Sequence, residues 1–301
     1  MLTFGQRTRP TADTAPAPSW AGVSTFALAD TTLALNRPAP QRLPYHLLAL
    51  TTTGHGTVEV DFVSTGCRPG TLLWIRPGQA VRFGDQPGLD AALVTWERDL
   101  LDTGQIAGLE VDAGTGPARW QLAGEDEDAV ISEFAQLAVD CERHPSGPVA
   151  AALLRHQLAV LLLRVALLDA EDAPDTGTAE SRTFDRFRRL LEDGHPDSRR
   201  VEDYAVRLGC SVRTLTRASL SVTGRTAKQV VDDRVALEAR RLLACTTLPV
   251  AEIGRRLGFP EPTNFGRFFH REVGVSPGAF RARMGVAEAP IPRQRRSANG
   301  R

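Results

Sequence analysis

The chain has 301 residues, four of them cysteines, and its 36 basic and 36 acidic side chains give a formal net charge of zero at pH 7. The charge is divided between the two parts of the chain: residues 1–180 contain 12 Lys and Arg against 23 Asp and Glu, a balance of −11, whereas residues 181–301 contain 24 against 13, a balance of +11. The length suits two domains, the basic half suits a polyanion such as DNA, and scattered cysteines without a Cys-x-x-Cys pair exclude a zinc framework or a disulfide-rich fold.

The N-terminal half begins with residues 1–19, which are rich in Thr, Pro and Ala and predict a flexible arm. These residues do not resemble a signal peptide, so we expect a cytoplasmic protein. Short β-type runs follow up to residue 112, namely HLLALTT, TVEVDFV, GTLLWI, AVRF and AALVTWE, with Gly and Pro-Gly turns between them. Short strands separated by closely spaced turns predict a small barrel or sandwich. In TVEVDFV, Val58, Val60 and Phe62 alternate with polar residues, so the run predicts a single half-buried strand.

Two helices are predicted next. Residues 125–143 repeat apolar side chains at steps of three and four, which is typical of an amphipathic helix. Residues 149–170 are apolar nearly all round, although the most apolar stretch, 158–168, is too short to span a bilayer. Such a helix needs cover from the barrel, its neighbour or another subunit, and we expect a share in a homodimer interface. Residues 171–181 predict a linker.

The basic half contains two helix-turn-helix patterns, at residues 201–223 and 250–273. In the first, Gly209 and Cys210 form the turn and Ser211 caps the second helix. In the second, Gly258 marks the turn and Pro262 suits the first turn of the following helix. One such pattern is a weak signal, because helix pairs joined by a glycine turn also occur in ordinary cores. Two such patterns in register predict contact with DNA. After them, residues 286–301 predict a basic, disordered tail.

A reading helix must keep polar residues outward while its apolar face packs on the first helix. Arginine suits the edge of guanine, asparagine suits adenine, and threonine can meet a thymine methyl group. A helix over residues 231–245, roughly 22 Å long, would separate the two units and place them about one 34 Å turn of DNA apart. The predicted base contacts are Arg213, Thr216, Arg217, Thr263, Asn264 and Arg267, and the predicted phosphate contacts are Ser211, Arg225, Lys228 and Arg271.

The run RVALEARRLLACTTLPVAEIGRRLGFPEPTNFGRFFHREVGVSPGAFRAR resembles the signature of the AraC/XylS family of bacterial transcription regulators. The resembling features are R-x-x-x-A-R-x-L-L, I-x-x-x-x-G-F, the Phe-x-x-x-Phe pair and the closing F-x-x-x-x-G-x-S-P-x-x-[FY]-R. The resemblance covers about residues 201–283, places these six base-contact candidates on the family's two reading helices, and implies Pro262 as a seventh base contact. More loosely, the upstream half resembles the family's cupin-like effector and dimerisation domain.

The resemblance implies an α+β architecture: a cupin-like β-barrel with two helices at 20–170, the linker at 171–181 and an all-α DNA-binding domain with two helix-turn-helix units at 182–285. It implies a DNA operator as partner, a small-molecule effector, activation of transcription, and RNA polymerase as a further candidate partner. Two positions depart from the family pattern. Ser219 replaces a usual aromatic, where Leu220 is expected to fill the gap, and Gly254 replaces a usual alanine, where close helix contact is expected to offset the lower helix propensity.

The strand pattern gives five effector-pocket candidates, chosen as aromatic faces that would cover an organic ligand and polar tips that would orient it. They are Tyr45, His46, Trp74, Arg76 and Trp96. The alternative is that these side chains form ordinary core and rim.

Other functions stay open on the sequence alone. A cupin-type metal enzyme fused to a DNA-binding module is disfavoured because the six histidines contain no His-x-His pair. A DNA-repair protein with a methyl-accepting cysteine is disfavoured by the absence of a cysteine cluster in residues 1–120. An architectural DNA binder without an effector is the other alternative. We expect no cofactor, no metal and no catalytic residue.

Overall fold

The computed structural model of the chain describes residues 21–31, 39–84, 88–101, 118–144, 146–172, 178–194 and 199–286. The chain divides into two units, Met1–Thr178 and Ala179–Arg301. The first contains β-sheets followed by two helices, and the described part of the second is helical. The coarse α+β prediction is confirmed. The arm, the interior of the linker at 173–177 and the tail from 287 lie outside the described residues.

The described strands of the first unit form two separate sheets. One sheet has five strands and the other has four. An apolar layer with side chains from both sheets, including Leu47, Val60 and Phe83, packs between them. The strands are β1 (Val23–Ala27), β2 (Gln41–Arg42), β3 (His46–Thr53), β4 (Gly56–Val60), β5 (Val63–Cys67), β6 (Thr71–Ile75), β7 (Ala80–Phe83), β8 (Asp90–Trp96) and β9 (Ala118–Gln121). The five-stranded sheet has the order β1-β8-β3-β6-β9, and the four-stranded sheet has the order β2-β7-β4-β5.

The predicted barrel is therefore not closed among the described residues. Closure requires hydrogen bonds around a continuous ring of strands, but β1 and β9 end one sheet and β2 and β5 end the other. The arrangement of the described strands is that of a sandwich, in which the inner faces of two sheets share one core.

The prediction of one strand across TVEVDFV is wrong. β4 ends at Val60 and β5 begins at Val63, and the two strands pair in an antiparallel hairpin. The two turn residues, Asp61 and Phe62, have φ angles of 51° and 68°, as the twist of a two-residue hairpin turn favours. The buried Asp61 carboxylate accepts hydrogen bonds from Gln79 Nε2 at 2.8 Å and from the Ala80 amide at 3.1 Å. These bonds hold a turn that the alternating pattern conceals.

The helices of the first unit cover the outer face of the five-stranded sheet. α1 (Gly124–Arg143) and α2 (Pro148–Asp172) share a core with that face, and Leu158, Leu161 and Leu162 of α2 are fully buried in it. The prediction that the apolar stretch is too short to span a bilayer does not hold for the whole helix, because its apolar segment Pro148–Leu168 has 21 residues and is long enough by length and composition to cross a membrane. One side of α2 packs in the core beside the sheet, and 28% of this apolar segment is buried.

The described part of the second unit consists of seven helices. They are α3 (Ala179–Gly194), α4 (Val201–Leu208), α5 (Val212–Thr223), α6 (Ala227–Cys245), α7 (Val250–Arg256), α8 (Pro262–Val273) and α9 (Pro277–Arg283). The pair α4–α5 and the pair α7–α8 each pack on α6.

The central helix α6 is longer than the predicted spacer. It has 19 residues, about 28 Å at 1.5 Å per residue, because it begins four residues earlier than predicted. Its first turn is fixed by a capping box, in which the Thr226 side chain accepts from the Gln229 amide and the Gln229 side chain accepts from the Thr226 amide. This Thr-x-x-Gln signal is readable in the sequence.

Candidate functional site

The turn between α4 and α5 has the predicted geometry. Gly209 adopts a left-handed conformation with φ of 65° after α4, where glycine carries no steric penalty. Ser211 precedes α5 and accepts a hydrogen bond from the Thr214 amide at 3.0 Å. The predicted turn and cap are confirmed, and the Ser211 hydroxyl is engaged as a helix cap. The buried side of α5, which includes Leu215 and Ala218, packs inward.

The predicted base-contact residues of α5 lie on its outer side, but not all equally. Arg213 and Arg217 are exposed, whereas Thr216 is half-buried. Arg217 Nη2 lies 3.3 Å from Glu180 Oε1 in the first turn of α3. A DNA contact by Arg217 therefore competes with this carboxylate.

Leu220 does not fill the space left by Ser219, so that expectation is wrong. Ser219 is fully buried, and its hydroxyl donates to the Leu215 carbonyl at 2.9 Å. The back-bonded hydroxyl occupies the buried position without leaving a polar group unsatisfied. Leu220 is one residue further around the helix, which turns its side chain outward, and 46% of it is exposed.

The second helix pair presents a comparable outer side. The side chains of Pro262, Thr263, Asn264 and Arg267 are all exposed on α8, and Pro262 begins the helix as predicted. The opposite side packs through the buried Phe265, Phe268 and Phe269. No carboxylate pairs with Arg267 among the residues that the structure describes, so its guanidinium faces solvent.

Gly254 lies where α7 and α8 are in close contact, as expected from its place in the sequence. A Cβ atom at this residue would lie 3.1 Å from Cβ and 3.2 Å from Cγ of Phe265. Because these distances are shorter than ordinary van der Waals contact, a larger residue would require Phe265 to shift. The close approach gives a packing reason for glycine at a position where it costs about 1 kcal/mol of helix propensity relative to alanine.

The three predicted phosphate-binding cations already have carboxylate partners. Arg225 Nε lies 2.7 Å from Asp233, Lys228 pairs with Asp232, and Arg271 Nη2 lies 3.3 Å from Asp232. Arg271 also contacts Glu272 at 2.6 Å. Burial raises the pKa of Asp233, although Arg225 opposes the shift. Binding of phosphate by these cations would exchange one anionic partner for another.

The effector-pocket candidates are divided between the two faces of the five-stranded sheet. His46, Trp74 and Trp96 lie together: the His46 and Trp96 rings stack at a centroid distance of 4.8 Å, and Trp74 Nε1 donates to His46 Nδ1 at 3.2 Å. The guanidinium carbon of Arg76 lies 4.9 Å from the Trp74 ring centroid. Tyr45 instead joins the core between the sheets, because adjacent residues of an extended chain point to opposite faces.

Burial sets the chemical character of these side chains. Tyr45, His46, Trp74 and Trp96 are each at most 5% exposed. Burial, reinforced by Arg76 and Arg98, lowers the pKa of His46 to about 3, so the ring is neutral at physiological pH. The hydroxyls of Tyr45 and Thr95 and Nε1 of Trp96 are buried without a hydrogen-bond partner among the described residues.

Comparisons with known proteins agree with this reading of the second unit. Residues 204–283 match the family profile described as a helix-turn-helix domain. The chain is 27% identical over 263 residues to the arabinose operon regulatory protein of Salmonella typhimurium, covering 81% of this chain and 85% of that protein. It is 26% identical over 247 residues to the transcriptional activator NphR of a Rhodococcus species, covering 80% and 71%.

A crystal structure of ToxT from Vibrio cholerae O395 superposes with a TM-score of 0.42 at 11% identity, covering 88% of this chain and 99% of that one. The helix-turn-helix profile covers residues 204–283 of the second unit. The two regulators each align over about four fifths of this chain. Together these matches support an AraC-type helix-turn-helix domain in the second unit and relate most of the chain to bacterial transcription regulators.

Proposed function

We propose that the protein binds a specific DNA operator through α5 and α8 and activates transcription in response to a small molecule. The observation that supports this most is the pair of outward polar helix sides in the basic half of the chain. Arg213, Thr216 and Arg217 on α5 would contact bases in one major groove, and Pro262, Thr263, Asn264 and Arg267 on α8 would contact bases in the next. Ser211, Arg225, Lys228 and Arg271 would contact phosphates.

Activation is proposed because the matched Rhodococcus relative is named a transcriptional activator. An activator of this kind works beside RNA polymerase, which we propose as a further partner. The protein acts by binding rather than as an enzyme, and it acts in the cytoplasm, where its operator is.

We place the effector in the first unit, which is related to an effector domain by the sequence resemblance. The proposed contacts are Tyr45, His46, Trp74, Arg76 and Trp96. Because these residues divide between two faces of one sheet, a single small ligand would contact one group of them. The stacked His46, Trp74 and Trp96 offer aromatic faces, whereas Tyr45 offers a buried hydroxyl between the sheets.

The test uses the full chain and a pool of random duplexes. We expect selection to enrich one sequence with two contact regions about one helical turn apart. The protein should bind this sequence with an affinity about 1,000-fold or more above its affinity for random DNA at physiological salt. Addition of the effector, found by a shift in melting temperature, should change operator affinity, and Trp74→Ala or Tyr45→Phe should reduce that response. Enrichment without any ligand response would favour an architectural DNA binder. No enrichment at all would contradict the proposal.

We also propose a homodimer formed through α2. Its exposed side carries Val149, Leu153, His156, Val160, Leu163 and Leu167, which follow one another at steps of four and three residues. This is the spacing of a coiled-coil seam. Val149 is 82% and Leu167 66% exposed, so a single copy leaves much of the stripe in water. A second copy of α2 would cover it.

Replacement of Leu163 by Asp is expected to raise the dimer dissociation constant at least about 100-fold, because a two-fold interface carries the buried charge twice. Sedimentation equilibrium measures the constant. Val139→Asp is the matched control, since Val139 of α1 has 39% exposure against 41% for Leu163 and lies off the stripe. A wild-type monomer at tens of micromolar, or equal effects of the two variants, would contradict the α2 interface.

A further inference from the structure

Arg199 connects the segment before α4 with the turn of the other helix pair. Its guanidinium carbon lies 3.7 Å from the ring centroid of Phe259. Its Nη2 atom donates to the Gly258 carbonyl at 2.8 Å. Gly258 and Phe259 follow α7 and lead into α8, so one side chain contacts both the ring and the backbone of the second turn.

The ring that Arg199 contacts packs directly against α8. Phe259 is buried, and its ring lies 5.4 Å from Phe265 and 5.0 Å from Phe268, centroid to centroid. Both of these phenylalanines belong to the packed side of α8. A displacement of the Phe259 ring would therefore move the helix that carries Arg267.

The two helix pairs are also connected through α6. Each pair packs on that helix, and Asp232 of α6 accepts from Arg271 of α8 at 3.3 Å. Arg199 differs because it lies just before α4 and its own side chain directly contacts the turn between α7 and α8. The planar guanidinium can stack on a ring and donate in its own plane at once, which an ammonium group cannot do.

We propose that Arg199 is a positioning residue that fixes the spacing between the two reading helices, and thereby the number of base pairs that the protein accepts between its two contact regions. The inference rests on the proposed function, since it requires that both α5 and α8 contact DNA. Without the tie, α8 can shift relative to α5, so a displaced second contact region is tolerated better.

The experiment measures affinity of the full chain for the selected operator and for operators with one base pair inserted or removed between the two contact regions. One base pair rotates and translates the second region by about a tenth of a helical turn. We expect the wild type to lose about tenfold or more in affinity, similar to a base mismatch. For Arg199→Ala the loss should fall to about threefold. Arg199→Lys should resemble Arg199→Ala, because it cannot both stack and donate.

The neighbouring Arg200 supplies the control. It is exposed, and its Nε lies 3.8 Å from Glu202. Arg200→Ala should keep the wild-type spacing penalty, because any loss of general electrostatic attraction to DNA lowers affinity equally across the series. The melting curves of both Arg199 variants must first show that they are folded. If both then lose as much affinity as the wild type when the spacing changes, the positioning role is overturned and the proposed function is not. A wild type that selects no duplex overturns the proposed function and this inference with it.

Discussion

Replacement of Arg234 by alanine is expected to lower the free energy of unfolding of the second unit by about 3–5 kcal/mol, because it removes a buried cation that pairs with Glu192 and Glu238. Arg234 is 6% exposed, and its Nε lies 2.9 Å from Glu192 of α3. Its Nη1 lies 3.3 Å from Glu238, which also pairs with Arg241 at 3.5 Å. This network attaches α3 to the central helix α6.

The distribution of tryptophans allows the effect to be assigned to one unit. All four tryptophans lie within residues 1–120, so tryptophan fluorescence follows the first unit, whereas far-ultraviolet circular dichroism follows the helices of both. In urea, Arg234→Ala should shift part of the dichroism transition and leave the fluorescence midpoint in place.

Arg256→Ala is the control for an ion pair at the surface. Arg256 pairs with Glu252 at 3.2 Å, but 55% of its side chain is exposed, and such pairs contribute about 0–1 kcal/mol. Equal shifts for Arg234→Ala and Arg256→Ala would show that the buried network does not stabilise the unit as described.

Arg267→Ala is expected to weaken binding to the selected operator by about 1–3 kcal/mol and to relax base preference at one position. Arg267 is exposed on α8 beside Asn264 and Thr263, and a bidentate contact to guanine gives discrimination of this size. Arg217→Ala on α5 should fall at the lower end of the range, because Arg217 must first leave Glu180. Affinity measured on the operator and on each single-base variant tests both changes.

Arg271→Ala separates base contact from phosphate contact. Its effect should be nearly the same on operator and random duplexes, and it should reduce the slope of log affinity against log salt by about one. If Arg267→Ala also lowered affinity equally on both kinds of duplex, its assignment as a base contact would be wrong.

Local signals allowed much of the second unit to be predicted. The turn at Gly209, the cap at Ser211 and the start of α8 at Pro262 each follow from the chemistry of a single residue, and all three are confirmed. The start of α6 could also have been predicted from Thr226 and Gln229. The base-contact and phosphate-contact roles stay predictions, as do the domain boundaries.

The errors in the first unit have physical causes that can be named. An alternating pattern continued through Asp61 and Phe62 although the chain turns there, because hydrogen bonds from residues 79 and 80 hold the turn. Tyr45 and His46 could not share one pocket wall, since adjacent strand residues face opposite ways. The Arg199 contact with Phe259 joins residues far apart in sequence, and no local pattern predicts it.

The close contact at Gly254 has an evolutionary consequence. A side chain there would place its Cβ atom 3.1 Å from Cβ of Phe265 and require Phe265 to shift by a few tenths of an ångström, so the packing of α8 on α7 depends on the residue at this position. A mutation at a buried glycine could thus alter which bases the protein prefers while leaving every residue proposed to touch DNA unchanged. Comparison of relatives by their outward residues alone would overlook such a change in target choice.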